Sequence, residues 1–321
     1  MPRLLILLTL PNRACDHYRD LIAARFPALE IDVADNKSTF DQHIGAADIL
    51  ITFGPMVRNL KLDLKDAVNV KWIQGLGTGM DGIIDHPALR PEVVVTSMTG
   101  IHGPPVSEAA LAGMLALSRD TPRFVRNQDQ HQWVRWPARL LQGKTVGILG
   151  VGVIAEALAP KCKAFGMTVI GISSAPRPLP GFDRMHNVSE LLRVVPELDY
   201  FVLLTPYSAA TRHLIDAKVL AAMKPSSYFV NLARGGVVDE GALIETMREN
   251  RIAGAALDVF EHEPLPGDSP LWTLKNVIIT THQGGFCDIY PDLAMPIIGR
   301  NMRCFLAGDF KGMVNVVSRA A

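Results

Sequence analysis

The sequence predicts an α/β protein made of two doubly wound parallel sheets, and three observations predict it. Short apolar runs rich in valine and isoleucine recur along the 321 residues. They alternate with segments of helical spacing. A glycine-rich turn opens the second series of runs. The first series lies at 3–8, 29–33, 48–53, 70–74 and 93–97. Each run is short enough for a strand and apolar enough to be covered on both faces. Helical spacing fills intervals such as 18–26. The second series lies at 145–149, 168–173, 200–204, 228–232, 255–259 and 277–281, six strands, which is the number in a complete dinucleotide-binding sheet. The stretch 105–119 predicts a helix linking the two series, and 294–306 predicts a helix returning to the first domain. Domains are expected at 1–99 with 287–321, and at 100–286.

Composition narrows the function classes. Hydrophobic residues make up 48% and charged residues 20%, which excludes a disordered chain. Lys+Arg and Asp+Glu are both 32, so no net field draws nucleic acid or an anionic membrane. The four cysteines, Cys15, Cys162, Cys287 and Cys304, form no C-x-x-C pair. Neither a metal site nor a redox dithiol is expected, and the pattern fits a reducing, cytoplasmic setting. The apolar N-terminal run is short and is followed by Pro11-Asn12-Arg13 without a small-residue cleavage pattern. It reads as a buried strand rather than a secretory signal. No segment reaches the roughly 18 apolar residues of a membrane span.

The strand at 145–149 runs into Gly150-Val-Gly152-Val153-Ile154-Ala155, a G-x-G-x-x-A pattern between strand and helix. Gly150 permits the tight turn, Gly152 lets the backbone approach a pyrophosphate, and Ala155 allows close helix–strand packing. The helix N-terminus offers free N–H groups and a positive dipole end. Val153 and Ile154 belong to the same phosphate-facing turn. Pro160 predicts a kink or short break further along that helix. The next strand ends in Ser173-Ser174-Ala-Pro-Arg177, where an NAD site usually places an acid for the ribose hydroxyls. No carboxylate stands there to repel a 2′-phosphate, and Arg177 is at hand to bind one. NADP(H) is therefore favoured over NAD(H), with Arg177 as a solvated loop residue the competing reading.

Ligands of open α/β sheets bind beyond the carboxyl ends of the strands. Here the fourth strand of the second series ends in Asn231-Leu-Ala233-Arg234-Gly-Gly, the fifth in Asp258-Val-Phe-Glu261-His262-Glu263-Pro264, and the sixth in Thr280-Thr281-His282-Gln283-Gly284-Gly285. Hydride chemistry on a 2-keto acid needs a proton donor for oxygen, and histidine titrates in the right range. A carboxylate fixes the ring, and a guanidinium grips the substrate carboxylate through two prongs. Taken singly, each residue is as well explained by a structural role. Three at successive strand ends favour catalysis. Trp133, Trp136, Met56 and Phe286 are candidates to line a pocket or simply to fill the core, and His102 is a candidate to face the site or, the favoured reading, to cap a turn.

These segments, with Gly143-Lys-Thr-Val-Gly-Ile-Leu-Gly and Phe229-Val-Asn-Leu-Ala-Arg-Gly-Gly-Val-Val-Asp-Glu, resemble the D-isomer-specific 2-hydroxyacid dehydrogenase family over essentially the whole chain. The resemblance implies a Rossmann cofactor domain inserted in a flavodoxin-like substrate domain, an NAD(P)-dependent oxidoreductase, and a homodimer joined through the cofactor domain. It implies Arg234 as substrate anchor, His282 as acid/base, and Glu263 as its partner, chosen over Glu261 because it precedes Pro264. Asp258 would hold the nicotinamide carboxamide. Thr205, Pro206, Ala233 and Gly284 would complete the cofactor surface. The backbone N–H groups of Leu76 and Gly77 would take the substrate carboxylate. Glyoxylate and hydroxypyruvate are the first substrate candidates. The alternatives are an NAD(H)-sensing corepressor-like protein, separable by turnover, and an oxidoreductase with a non-hydroxyacid donor.

Overall fold

The computed structural model describes residues 1–9 and 12–317. The chain divides into two compact units, Met1–Ile101 with Cys287–Ala321, and His102–Phe286. Residues 318–321, at the end of the expected first domain, and Pro11, expected to close the first apolar run, lie outside the described residues.

The first unit carries the strands β1 (Arg3–Leu7), β2 (Glu30–Ala34), β3 (Ile49–Thr52), β4 (Trp72–Gly75) and β5 (Val94–Thr96). They pair in parallel in the order β2-β1-β3-β4-β5, the flavodoxin-like winding. Residues 4–8 are fully buried, as the reading of a core strand required. Helices cover both faces because every central strand is apolar on both sides. One layer includes Tyr18 and Ile22 of the helix Asn12–Arg25 and Ala294, Ile298 and Met302 of the helix Tyr290–Leu306. The C-terminal helix therefore returns to the first sheet.

The second unit carries β6 (Thr145–Leu149), β7 (Thr168–Ser173), β8 (Arg184–Asn187), β9 (Tyr200–Leu203), β10 (Tyr228–Asn231), β11 (Gly254–Leu257) and β12 (Val277–Ile279). The order is β12-β11-β10-β9-β6-β7-β8, all parallel. Seven strands replace the expected six. The addition is β8, whose Arg-Met-His-Asn sequence lacks an apolar signal because it lies at the edge and buries no residue fully. The sheet order reverses between β6 and β9, which places the glycine turn at the switch point where ligands bind.

The helix Val153–Ala164 runs through Pro160 without the short break that was one of the two expected outcomes there, a kink being the other. Burial of Ala155, Leu158, Ala159 and Cys162 holds it to the sheet despite the missing N–H. Among the described residues no helix is long and apolar enough to cross a membrane.

Candidate active site

The fingerprint turn has the geometry a dinucleotide requires. Gly150 has φ +94°, a left-handed conformation, and a Cβ there would sit 2.5 Å from the Thr205 backbone. Its N–H donates to the Ile172 carbonyl at 2.9 Å. Thr205 is buried in the loop after β9, with Pro206 exposed beside it. Gly152 caps the helix that starts at Val153, and a Cβ on Gly152 would meet no atom within 4 Å. That open space beside helix N–H groups fits a pyrophosphate. Val153 is half exposed at the mouth of the turn, and Ala155 is fully buried against the sheet.

At the end of β7, the Ser173 hydroxyl accepts the Ala175 N–H at 3.3 Å. The Ser174 carbonyl accepts from the Asn187 amide at 3.1 Å, which ties the turn to β8. Arg177 pairs with Glu156 at 3.3 Å across exposed surface. Such an exposed pair contributes little to stability.

Beyond the carboxyl ends of β10, β11 and β12 the structure brings Arg234, Glu263 and His282 together. His282 Nδ1 lies 2.7 Å from Glu263 Oε2, and Glu263 Oε1 accepts the Phe260 N–H at 3.1 Å. Burial works to raise the Glu263 carboxyl. The hydrogen bond and charge of His282, the Phe260 N–H and the charge of Arg234 outweigh it and hold the group below the usual carboxylate range. Arg234 Nη1 donates to the Ala233 carbonyl at 2.7 Å, which orients the guanidinium. The turn beneath is fixed by Asn231, whose Oδ1 accepts the Ala233 N–H at 3.1 Å.

His282 adopts φ +55°, a conformation that costs free energy for any side-chain-bearing residue. Asp258 holds it there. The Asp258 carbonyl accepts the His282 N–H at 2.8 Å, and its carboxylate accepts the N–H groups of Gln283 at 2.9 Å and Gly284 at 2.8 Å. The Thr280 hydroxyl donates to the same carboxylate. Asp258 is 4% exposed, so these donors are its compensation for burial. A Cβ on Gly284 would come within 2.9 Å of Leu232 Cδ2 and 3.0 Å of the Asp258 carboxylate, so both would have to shift.

A family model for the NAD-binding domain of D-isomer-specific 2-hydroxyacid dehydrogenases matches residues 111–284. The chain belongs to the D-isomer-specific 2-hydroxyacid dehydrogenase family. It is 32% identical over 295 residues to a D-3-phosphoglycerate dehydrogenase of Methanocaldococcus jannaschii, covering 89% of this chain and 56% of that one. It thus spans little more than half the length of that relative. It is 32% identical to the glyoxylate reductase of Thermococcus litoralis, covering 77% of each chain. Among solved structures it is similar to a D-isomer-specific 2-hydroxyacid dehydrogenase family protein from Aeromonas salmonicida, at 34% identity, full coverage of both chains and a TM-score of 0.87.

Two expectations for this dehydrogenase-family chain are corrected, and Trp136 falls on the packing side of its two readings. The Leu76 N–H, expected to take a substrate carboxylate, donates instead to the Thr52 carbonyl at 2.8 Å, and Leu76 is fully buried. The Leu76 carbonyl accepts the Tyr290 hydroxyl. His102 stands at the N-cap of the helix Gly103–Arg119, but its side chain makes no capping hydrogen bond. Its ring packs beneath Gly285, where a Cβ would come within 3.0 Å of it. Trp136 lines no active-site wall. It packs on Phe124 at 4.3 Å and borders a cavity of about 370 Å³ with Tyr228 and Asn276, at the amino ends of β10 and β12. Trp133 is 94% exposed. The sequence reading placed Thr280 at the strand end without its bond to Asp258, and missed His213. Thr280 is legible in hindsight as a hydroxyl at a strand end, whereas His213 follows no motif.

Proposed function

We propose that this protein is an NAD(P)-dependent D-2-hydroxyacid dehydrogenase, or 2-keto acid reductase, acting on a small 2-keto or 2-hydroxy acid. The observation that carries the reading is the His282–Glu263 contact of 2.7 Å beside Arg234, at the same sheet ends as the fingerprint turn. When bound, the reduced nicotinamide supplies the hydride. In reduction, His282 Nε2 gives its proton to the substrate carbonyl oxygen, since Nδ1 is engaged by Glu263. Glu263 stabilises the charged imidazolium and fixes the ring. Arg234 binds the substrate carboxylate and polarises the carbonyl. In oxidation the same groups act in reverse. Gly77 N–H remains a proposed backbone donor to a carboxylate.

The cofactor would be held by Gly150, Gly152, Val153, Ile154, Thr205, Pro206, Ala233 and Gly284. Asp258, already accepting Gln283 and Gly284, would also accept from the carboxamide. Ser173, Ser174 and Arg177 favour NADP(H), because none of them repels a 2′-phosphate. A homodimer is supported by the helix Thr121–Asp129, none of whose residues is buried and which exposes Phe124 and Val125, and by exposed Trp133, Val134 and Leu140 in the segment that follows it. Absorbance at 340 nm, with NADPH or NADH and a panel of glyoxylate, hydroxypyruvate, pyruvate and phenylpyruvate, tests the activity. Oxidation with one acid supports it. Cofactor binding without turnover across the panel favours the NAD(H)-sensing alternative.

A further inference from the structure

We propose that Glu240 is a positioning residue for proton transfer: its carboxylate ties the 260–263 loop to the turn that carries Arg234 and so keeps Glu263 on His282. This rests on the roles given above to Glu263 and His282.

Glu240 opens the helix Glu240–Arg248, just after the Arg234 turn. Its Oε2 accepts the N–H of Glu261 at 3.0 Å, reaching from one strand crossover to the next. The Glu261 carboxylate in turn meets His213 Nε2 at 2.7 Å, and the His213 N–H donates to the Gly236 carbonyl at 2.9 Å. A closed ring therefore runs from the Arg234 turn through His213 to Glu261, and back through Glu240. The ring is tight. A Cβ on Gly235 would lie 1.9 Å from the Phe260 carbonyl carbon, so the two loops touch backbone to backbone. Phe260 is also the residue whose N–H Glu263 accepts. The ring therefore sets where the Glu263 carboxylate stands.

The surroundings of Glu240 fit a held acceptor rather than a solvated surface acid. Burial raises its carboxyl above the usual range, opposed by the Glu261 N–H. The charges of Glu261 and Glu263 raise it further, and His262 lowers it. Glu263 itself faces His282 and Arg234. Three acids held this close repel one another, and the Glu261 N–H offsets part of that cost for Glu240.

Two substitutions separate positioning from charge. Glu240→Ala removes both acceptor and charge. Glu240→Gln removes the charge and keeps an oxygen that accepts the Glu261 N–H. The readouts are the carboxyl titration of Glu263, followed by carbon-13 NMR and assigned with Glu263→Gln, and kcat for hydroxypyruvate reduction with NADPH. In Glu240→Ala the loosened Glu263 loses its donors, so its titration moves to higher pH, and kcat falls about tenfold. KM for NADPH stays at the wild-type value. Glu240→Gln leaves kcat near wild type and moves the titration, if at all, downward, because a negative neighbour has gone. A Glu263 titration unmoved in Glu240→Ala, or raised equally in both variants, overturns the proposal. If Glu240→Ala does not fold, His213→Ala breaks the same ring at the surface and must raise the titration likewise. Should the wild type reduce no keto acid, the functional reading fails while the titration still decides the positioning role.

Discussion

Nδ1 of His282 lies 2.7 Å from Oε2 of Glu263, with the carboxylate nearly buried and about a third of the imidazole exposed. The protein side of the ring is therefore closed by an acid, which leaves Nε2 as the nitrogen proposed to exchange protons. His282→Ala is expected to lower kcat by roughly a hundred- to ten-thousand-fold while leaving cofactor affinity in place. Stopped-flow measurement of hydride transfer and fluorescence titration of NADPH check the two halves. Turnover near wild type removes the assigned role.

The lowered pKa of Glu263 also has a sign in stability. Its folded value lies below its unfolded one, so its contribution is complete above the ordinary carboxylate range. That contribution is lost as pH falls through the folded value. Urea midpoints measured from neutral to acid pH should fall less steeply in Glu263→Gln than in wild type. Parallel curves would show that the pair carries no such linkage.

Asp258 is expected to matter for the fold of the histidine turn as well as for ligand. Asp258→Ala leaves the N–H groups of Gln283 and Gly284 and the Thr280 hydroxyl without their acceptor. It should cost about 2–4 kcal/mol in denaturant unfolding, together with a loss of kcat as His282 leaves φ +55°. A variant as stable as wild type but defective in cofactor binding would confine Asp258 to the ligand.

Arg177 and Glu156 make an exposed pair whose loss should hardly change stability. Arg177→Ala is expected to lower kcat/KM for NADPH about tenfold, the loss of a charge-assisted contact, and to leave that for NADH unchanged. Equal effects on both cofactors would place the 2′-phosphate contact elsewhere.

Trp133, 94% exposed, should be covered in a dimer. Trp133→Asp should shift sedimentation from dimer toward monomer by burying a charge at the contact. A wild-type protein that sediments as a monomer at every concentration ends the dimer reading.

Much of the fold was legible because its strands are nearly uniform apolar runs, and a parallel sheet buried on both faces imposes that signature. β8 was not legible, since an edge strand needs no apolar pattern and Arg184–Asn187 shows none. Arg234, Glu263 and His282 stood out because each follows the carboxyl end of a strand, and strand ends of one sheet converge. The Leu76 N–H was misassigned because its partner, Thr52, lies on a different strand, and neither residue's local sequence reveals the contact.

Local chemistry written in the chain determined the alternation of strand and helix, the glycine turn at Gly150 and the three strand-end residues. Those signals depend on periodicity and on residue type at short spacing, and both are local. The tertiary structure decided which groups satisfy one another. It placed Asp258 under the His282 turn, gave Phe260 to Glu263, and closed the ring of Glu240, Glu261 and His213. Hydrogen bonds are short-ranged and directional, so partners distant in sequence are chosen by how the strands pack.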